Sequence, residues 1–347
     1  MKEWNSRVGR VAEPMKTDFM QRTFSEPAEG QVLIRVVSSA ICGSDLHIFK
    51  GRHPAVPLPV TIGHEFSGDI VAVGPGVTGL SEGDRVTLEP CIVCGTCEAC
   101  RHGNYGYCEN ISFSYRKGDG AMADYVMAQA GHVFRLPDDL SYHAGALIEP
   151  LSVATHAVRR ADIRLGETVL VIGAGAIGLL IAAVCRKSGA SQVIIADHSD
   201  ARLKLALELG ATAAVNSGKE PLEDALHRLT GGKGVDKSFE CVGLEATFVQ
   251  AISSIRQNGL ATIVGIFENP KINIPADLFV SREIRVQGAQ GYCWDFPVAI
   301  ELSRELNLEK LVTHVFPLDD LQKALETCLD RSCLLYTSPS PRDQRGS

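Results

Sequence analysis

The sequence lacks any apolar run long enough to cross a bilayer, which takes about 20 residues. Its first stretch, Met1 to Arg10, is polar and lacks the apolar core of a signal peptide. It also lacks an excess of positive charge: the formal net charge is −7, which argues against nucleic acid or an anionic membrane as a partner. No segment repeats. A cytoplasmic globular protein is therefore expected. The 347 residues suffice for two modest domains, and 45% hydrophobic against 22% charged residues is a balance that can bury a sizeable core. Cysteine is not scarce. The eleven cysteines of a chain kept in a reducing compartment suggest metal ligands before disulfides.

The style of the sequence changes along the chain. From about Val8 to Pro150, short β-branched runs such as Val32–Val37 and Asp69–Gly74 end at turn signals. Such runs suggest an irregular, barrel-like β domain. From about Leu151 to Gly288, strands alternate with helices, which implies a parallel sheet. Strands are expected at 169–172, 192–196, 237–241 and 261–264. Helices are expected at 176–187 and 201–209, the latter closed by Gly210. Helices near 298–306 and 318–330 indicate a return to the first domain. The expected division is 1–151, 152–288 and 289–332, with a cysteine lobe at about 91–108 and a foreign tail at 333–347. The fold class is α/β with a β-rich second domain.

The strongest chemical signal is Cys94-Gly-Thr-Cys97-Glu-Ala-Cys100 followed by Cys108. Four thiolates so spaced can close a tetrahedron around zinc with no open position, a structural site that folds a polar loop. Chance clustering or an iron–sulfur cluster is the bland alternative, and no neighbouring redox motif supports the latter. Cys91 lies just outside the pattern. A second, dispersed set comprises Cys42, His64, Glu65 and Glu149. One thiolate, one imidazole and one or two carboxylates suit a catalytic zinc with a place left for water or substrate. Singly, Cys42 reads as a small buried hydrophobe and His64 as a satisfied core histidine.

The third signal is Gly173-Ala-Gly175-Ala176-Ile177-Gly178, after an apolar strand and opening a helix. The first glycine permits the turn, the second admits a pyrophosphate, and the third lets helix and strand pack. The helix N-terminus then faces the phosphates. Asp197 ends the next strand, where a carboxylate binds the adenosine ribose and repels a 2′-phosphate, so NAD is expected over NADP. Arg202 nearby works the other way, since an arginine can receive that phosphate.

Taken together these residues resemble the zinc-containing medium-chain dehydrogenases, close to the sorbitol and butanediol dehydrogenase branch, from about Val32 to Asp330. The resemblance implies a GroES-like catalytic domain, a Rossmann doubly wound parallel sheet between its two segments, two zinc ions, NAD, and a homodimer or homotetramer. In that family the segment matching Cys42-Gly-Ser44-Asp45-Leu-His47 supplies a zinc ligand, a hydroxyl and a relay histidine. Gly63-His64-Glu65 supplies the second ligand, with Glu65 at or next to the metal. Glu149-Pro150-Leu151 is similar to the polyol branch, which has glutamate where other alcohol dehydrogenases carry cysteine. The resemblance thus implies oxidation of a secondary alcohol of a polyol, sugar acid or diol. Ser44 would take the proton, His47 would pass it on, and Asp45 would orient His64. Tyr292–Pro297 resembles the polyol-enzyme segment near substrate, but Gly291 stands where sorbitol dehydrogenases generally carry an arginine. L-threonine 3-dehydrogenase-like activity, a zinc-free quinone reductase and a non-catalytic NAD- or zinc-binding protein are the rival readings. Residues 333–347 fit neither the family nor the preceding helix. They resemble translated sequencing-adapter read-through and are expected to be poorly ordered.

Overall fold

The computed structural model describes residues 2–53, 56–329 and 336–340. Two compact units divide the chain: the described residues of Met1–Glu149 and Phe296–Ser347 form one, and Pro150–Asp295 the other. Among the described residues no helix is long and apolar enough to cross a membrane.

The first unit is β-rich. A five-stranded antiparallel sheet runs in the spatial order Val133–Arg135, Arg85–Leu88, Glu65–Val73, Gln31–Ala40, Tyr125–Gln129. Its apolar face is the alternating β-branched set Val32, Ile34, Val36, Ile70 and Val86, all buried. A smaller sheet joins Lys16–Phe24, Trp4–Glu13 and Val60–Thr61. The returning segment completes this unit. Leu318, Leu321, Ala324 and Leu325 pack with Ile48, Phe49 and Ile62, so the helix Leu321–Leu329 forms part of the floor under the elements that carry Cys42 and His64.

The expected unstructured tail is corrected in part. Tyr336–Ser340 forms a strand parallel to Val312–Pro317, with Val312 opposite Tyr336 and Pro317 opposite Ser340. Strand pairing uses main-chain N–H and C=O groups, so an open edge accepts a polar segment whatever its side chains. The rest of 333–347 lies outside the described residues.

The second unit is a six-stranded parallel sheet. Its strands in chain order are β1 (Thr168–Ile172), β2 (Gln192–Asp197), β3 (Ala213–Asn216), β4 (Val235–Glu240), β5 (Ile255–Ile263) and β6 (Arg285–Gly288). The spatial order is β3-β2-β1-β4-β5-β6, the doubly wound dinucleotide-binding order. Crossover helices are α1 (Ala176–Lys187), α2 (Asp200–Glu208), α3 (Leu222–Thr230) and α4 (Glu245–Ser254). Both faces of β1 are covered, and Val169, Leu170 and Val171 are fully buried, which is why the strand is a continuous apolar run rather than an alternating one. Helix α1 is buried without a break from Gly178 to Cys185, as befits a central helix. Ser199 caps α2, its hydroxyl accepting the Arg202 N–H at 3.4 Å.

A buried ion cluster closes this unit. Asp295 is 1% exposed and accepts from Arg159 (2.7 Å) and the Cys293 N–H (2.8 Å), and meets His156 Nδ1 at 2.9 Å. Burial alone would raise its pKa, but these bonds outweigh it and hold the carboxyl below its usual value. A depressed carboxylate contributes stability above its unfolded pKa, and that contribution is lost as pH falls through the folded value. Asp295→Asn should therefore cost about 1.5–3 kcal/mol at pH 7, the range for hydrogen bonds to charged groups. The gap from wild type should hold above a pH of about 4 and shrink below it. Urea unfolding of both proteins across this range checks the expectation, and a gap independent of pH would contradict it.

Candidate metal centre and dinucleotide site

The cysteine lobe begins where Cys91-Ile92 pairs with Ser112-Phe113. Between these short strands the chain turns back, and the Sγ atoms of Cys94, Cys97, Cys100 and Cys108 lie within 4.8 Å of one another. A tetrahedron with zinc–sulfur bonds of about 2.3 Å has sulfur–sulfur edges of about 3.8 Å, so the four thiols fit a metal without rearrangement of the chain. The main chain already faces sulfur: the Cys97 N–H donates to Cys94 Sγ and the Cys94 N–H to Cys108 Sγ, each at 3.3 Å. The N–H groups of Thr96 and Cys97 draw the Cys94 thiol down to about 5, whereas desolvation and its thiol neighbours push Cys100 up to about 12. A divalent cation is what lets all four deprotonate together.

The second group is buried in the same unit. Cys42 caps the helix Gly43–Phe49, and His64 and Glu65 open the strand Glu65–Val73. Their ligand atoms also lie within 4.8 Å of one another. Asp45, fully buried, joins the two segments: one oxygen accepts the Cys42 N–H at 3.0 Å and the other the Gly63 N–H at 3.2 Å. Gly63 has φ +91°, and a Cβ there would meet the Met122 nitrogen at 2.7 Å, so only glycine turns the chain into His64 at this point.

The expectation that Asp45 orients His64 directly needs adjustment. Asp45 lies 3.9 Å from His64 Nδ1, beyond hydrogen-bond reach, because both its oxygens are drawn to main-chain donors. Asp45 positions the histidine through Gly63 instead. Nor does Glu149 belong to the tight group among the described residues, although it is buried and its charge reaches Cys42, His64 and Glu65.

The electrostatics of this pocket call for a cation. Burial, then Asp45 and Glu149, pushes the Cys42 thiol up to about 11. Burial likewise raises Glu65 well above the usual carboxylate range. At His64 burial opposes the charged form, but Asp45, Glu149 and Glu65 prevail and raise its pKa. His64 Nδ1 and Glu65 Oε2 are buried with no hydrogen-bond partner. Orphaned polar atoms beside a thiol and a surplus of carboxylates are the donor set of a bound divalent cation. Ser44 places its hydroxyl against the Cys42 sulfur. His47 stands half-buried on the same helix. Tyr115, which no sequence pattern flagged, packs its buried ring 5.3 Å from that of His64.

In the second unit the glycine loop follows β1. Gly173 has φ +97°, and a Cβ on Gly178 would meet the Gly173 oxygen at 1.8 Å, so helix and strand approach as only glycine permits. Gly175 has an ordinary φ of −71°, and a Cβ there would meet nothing within 4 Å. Neither space nor backbone demands this glycine at the N-terminus of α1, where Ala176 and Ile177 follow. Asp197 at the end of β2 accepts the Ala174 N–H at 2.7 Å and the Ser199 N–H at 2.8 Å. It therefore braces the loop, and each oxygen keeps acceptor capacity. Arg202 lies in the first turn of α2. Glu240 was not anticipated. It is fully buried at the end of β4, and one oxygen takes the N–H groups of Val242 and Gly243 and the Thr247 hydroxyl, fixing the turn that packs on Gly173. A glutamate at the end of the strand segment Lys237-Ser238-Phe239 was its only signal.

Residues 28–138 match the family described as "Alcohol dehydrogenase GroES-like domain" and residues 176–305 the one described as "Zinc-binding dehydrogenase". The chain is 36% identical to the sorbitol dehydrogenase of Bacillus subtilis (strain 168) over 305 residues, 86% of each chain. This chain belongs to the zinc-binding alcohol dehydrogenases. Within that family it is also 34% identical to the D-arabitol-phosphate dehydrogenase of Enterococcus avium, over 90% of each chain. The crystal structure of 2R,3R-butanediol dehydrogenase from Bacillus subtilis superimposes with a TM-score of 0.88 at 32% identity, covering 97% of this chain and 99% of that one. The dehydrogenase fold expected from the sequence, a GroES-like domain and a Rossmann sheet, is thus present, as is membership of the polyol branch.

The glycine loop of this dehydrogenase separates folding from binding. Gly178→Ala should destabilise the fold by about 1–3 kcal/mol, the range for overpacking. Gly175→Ala should leave stability within about 0.5 kcal/mol of wild type but raise KM for the dinucleotide at least tenfold. Thermal unfolding and NADH-formation kinetics on both variants check this, and a Gly175→Ala enzyme with unchanged KM would refute the placement of the pyrophosphate.

Proposed function

We propose that this chain oxidises a secondary hydroxyl of a small polyol or diol, using NAD in preference to NADP and two zinc ions per chain. The buried trio Cys42, His64 and Glu65, with unbonded donor atoms, is the observation that carries the reading. The trio would hold the catalytic zinc, and Cys94, Cys97, Cys100 and Cys108 the structural one. Zinc in the trio supplies a Lewis acid that polarises the substrate hydroxyl. NAD, when bound, would supply the hydride acceptor.

The chain's own residues do the rest. Ser44, whose hydroxyl lies against the Cys42 sulfur, takes the proton of the alcohol. His47 on the same helix passes it toward solvent. Asp45 keeps Cys42 and His64 in register through their main chains. Glu149 adds a buried negative charge that favours the metal. Gly173, Gly175 and Gly178 admit the pyrophosphate, and Asp197 receives the ribose. A carboxylate there repels the 2′-phosphate of NADP more than Arg202 attracts it. Exposed Val280, Trp294 and Ile266 offer apolar surface for a homodimer or homotetramer, which sedimentation would test against a monomer. The thiols that would hold zinc, Cys42, Cys94, Cys97, Cys100 and Cys108, need a reducing compartment, so we place the enzyme in the cytoplasm, to be checked by cell fractionation.

The central test combines metal analysis with NADH absorbance on polyols, diols, sugar acids and threonine. Two zinc ions per chain are expected. Brief chelation should remove the trio's zinc first, abolish activity, and leave a chain that zinc reactivates. Full activity in metal-free protein would favour the zinc-free quinone reductase reading. Oxidation of threonine alone would move the substrate class. His47→Ala should retain zinc and slow alcohol oxidation most at low pH, where proton release is hardest. An unchanged pH–rate profile would remove His47 from the relay.

A further inference from the structure

The parallel sheet of the second unit has two ends. The glycine loop leaves the carboxyl end of β1. Beside the amino ends of β1, β4, β5 and β6 lies a separate cavity of about 640 Å³. Thr168 begins β1 and Gly173 follows it, so at about 3.3 Å per residue the two places stand roughly 16 Å apart along the strand. Arg160, Arg164, Lys237, Arg256 and Arg285 bring five positive charges to the cavity wall, and Asp162, Glu167 and Asp236 bring three negative ones. The wall thus has an excess of two positive charges, on a chain whose net charge is −7.

The carboxylates are committed elsewhere. Asp236 accepts the Thr168 N–H at 2.7 Å and Arg256 at 2.6 Å. One oxygen of Glu167 accepts the Arg164 N–H at 2.9 Å. Asp162 meets Arg164 at 3.3 Å in a pair open to solvent. Lys237 is the residue out of place. It sits in β4, an interior strand of a parallel sheet, where apolar residues are expected, and it is only 7% exposed. Its Nζ lies 3.8 Å from Glu167 Oε1, beyond hydrogen-bond reach, and makes no hydrogen bond among the described residues. A buried ammonium with unused donors costs free energy until something completes it. Arg285, exposed on β6, has no carboxylate within ion-pair distance among the described residues. The sheet register aligns the two cations: Lys237 lies opposite Leu260, and Leu260 opposite Arg285. Neighbouring strands stand about 4.8 Å apart, so the two residues flank Leu260 with roughly 10 Å between their backbones. Leu260, Ala161 and Val286 add apolar surface to the same wall.

We propose that this cavity is an effector site for a phosphate dianion, free or as the end group of an organic monoester, held by Lys237 and Arg285. Phosphate on an organic group carries close to two negative charges at neutral pH, which matches the excess on the wall. Arg285 offers a planar fork of N–H groups to two phosphate oxygens, and Lys237 a point charge with donors to spare. Asp236 does not oppose the anion, because Arg256 already neutralises it. None of the residues that would hold zinc or the dinucleotide lines the cavity, so its ligand is an effector and not a reactant. Bound there, the anion links interior strand β4 to edge strand β6.

The test is calorimetric titration of inorganic phosphate, uridine 5′-monophosphate and uridine into wild type, Arg285→Ala and Lys237→Met, with and without NADH. Wild type should bind inorganic phosphate or the monophosphate but not uridine, and the tighter of the two tells the free ion from the monoester. Lys237→Met should weaken that binding at least tenfold, as for loss of a hydrogen bond to a charged group. Arg285→Ala should weaken it about fivefold, the upper range for an exposed ion pair. NADH should leave the affinity within about twofold, since the glycine loop lies at the other end of the sheet. Arg285 is exposed, so its variant keeps the core intact and decides the matter if Lys237→Met fails to fold. Binding unmoved in Arg285→Ala, uridine bound as tightly as its monophosphate, displacement by NADH, or no binding of either phosphate overturns the proposal.

Discussion

Two separate stretches of the first unit meet at one buried carboxylate. Asp45 accepts the N–H of Cys42 with one oxygen and that of Gly63 with the other. It thereby ties the segment that carries the thiol to the segment that carries the imidazole of the metal trio. The carboxylate is fully buried, so these hydrogen bonds form in a low-dielectric setting where they are strong and where their loss would leave a charge uncompensated. The surroundings follow from this bond pair. Gly63 must take a positive φ to present its N–H to Asp45 and then place His64. Ile48, Phe49 and Ile62 in turn pack against the returning helix Leu321–Leu329.

The same economy of main-chain donors recurs in the second unit. Asp197 and Glu240 close the ends of β2 and β4, and each takes backbone N–H groups from the loop that follows or adjoins it. At the carboxyl ends of parallel strands the chain must leave the sheet, and its amides lose their ladder partners there. Acidic side chains satisfy them and stiffen the loops that a dinucleotide would touch. Charge thus holds both loops in place. The first unit does the reverse with its metal trio, leaving buried donor atoms unsatisfied so that a cation completes them.

Much of this was legible in the chain itself. The spacing of Cys94, Cys97, Cys100 and Cys108 announced a closed tetrahedral site because all four ligands come from one short loop, whose geometry is local. The run Gly173 to Gly178 after an apolar strand indicated a strand, turn and helix, since each glycine there answers a local steric demand or admits a ligand. The alternation of strands and helices between Leu151 and Gly288 matched the six-stranded parallel sheet, because burial on both faces leaves a continuous apolar run in each central strand.

What the tertiary structure alone decided involves residues distant in sequence. Cys42, His64, Glu65 and Glu149 carry no spacing that distinguishes a ligand from a bystander, and only packing placed Glu65 within the tight group and Glu149 outside it. The bond expected from Asp45 to His64 went instead to the backbone of Cys42 and Gly63. A side chain's partner depends on which donors the fold brings within 3 Å or so, and sequence distance does not encode that. Tyr115 against His64 is likewise a product of the fold. Even the segment Tyr336–Ser340, polar and without an apolar face, found a place along Val312–Pro317, because an unpaired strand edge offers main-chain hydrogen bonds to any extended backbone. Local chemistry is written in neighbouring residues; the meeting of distant ones depends on how the core closes.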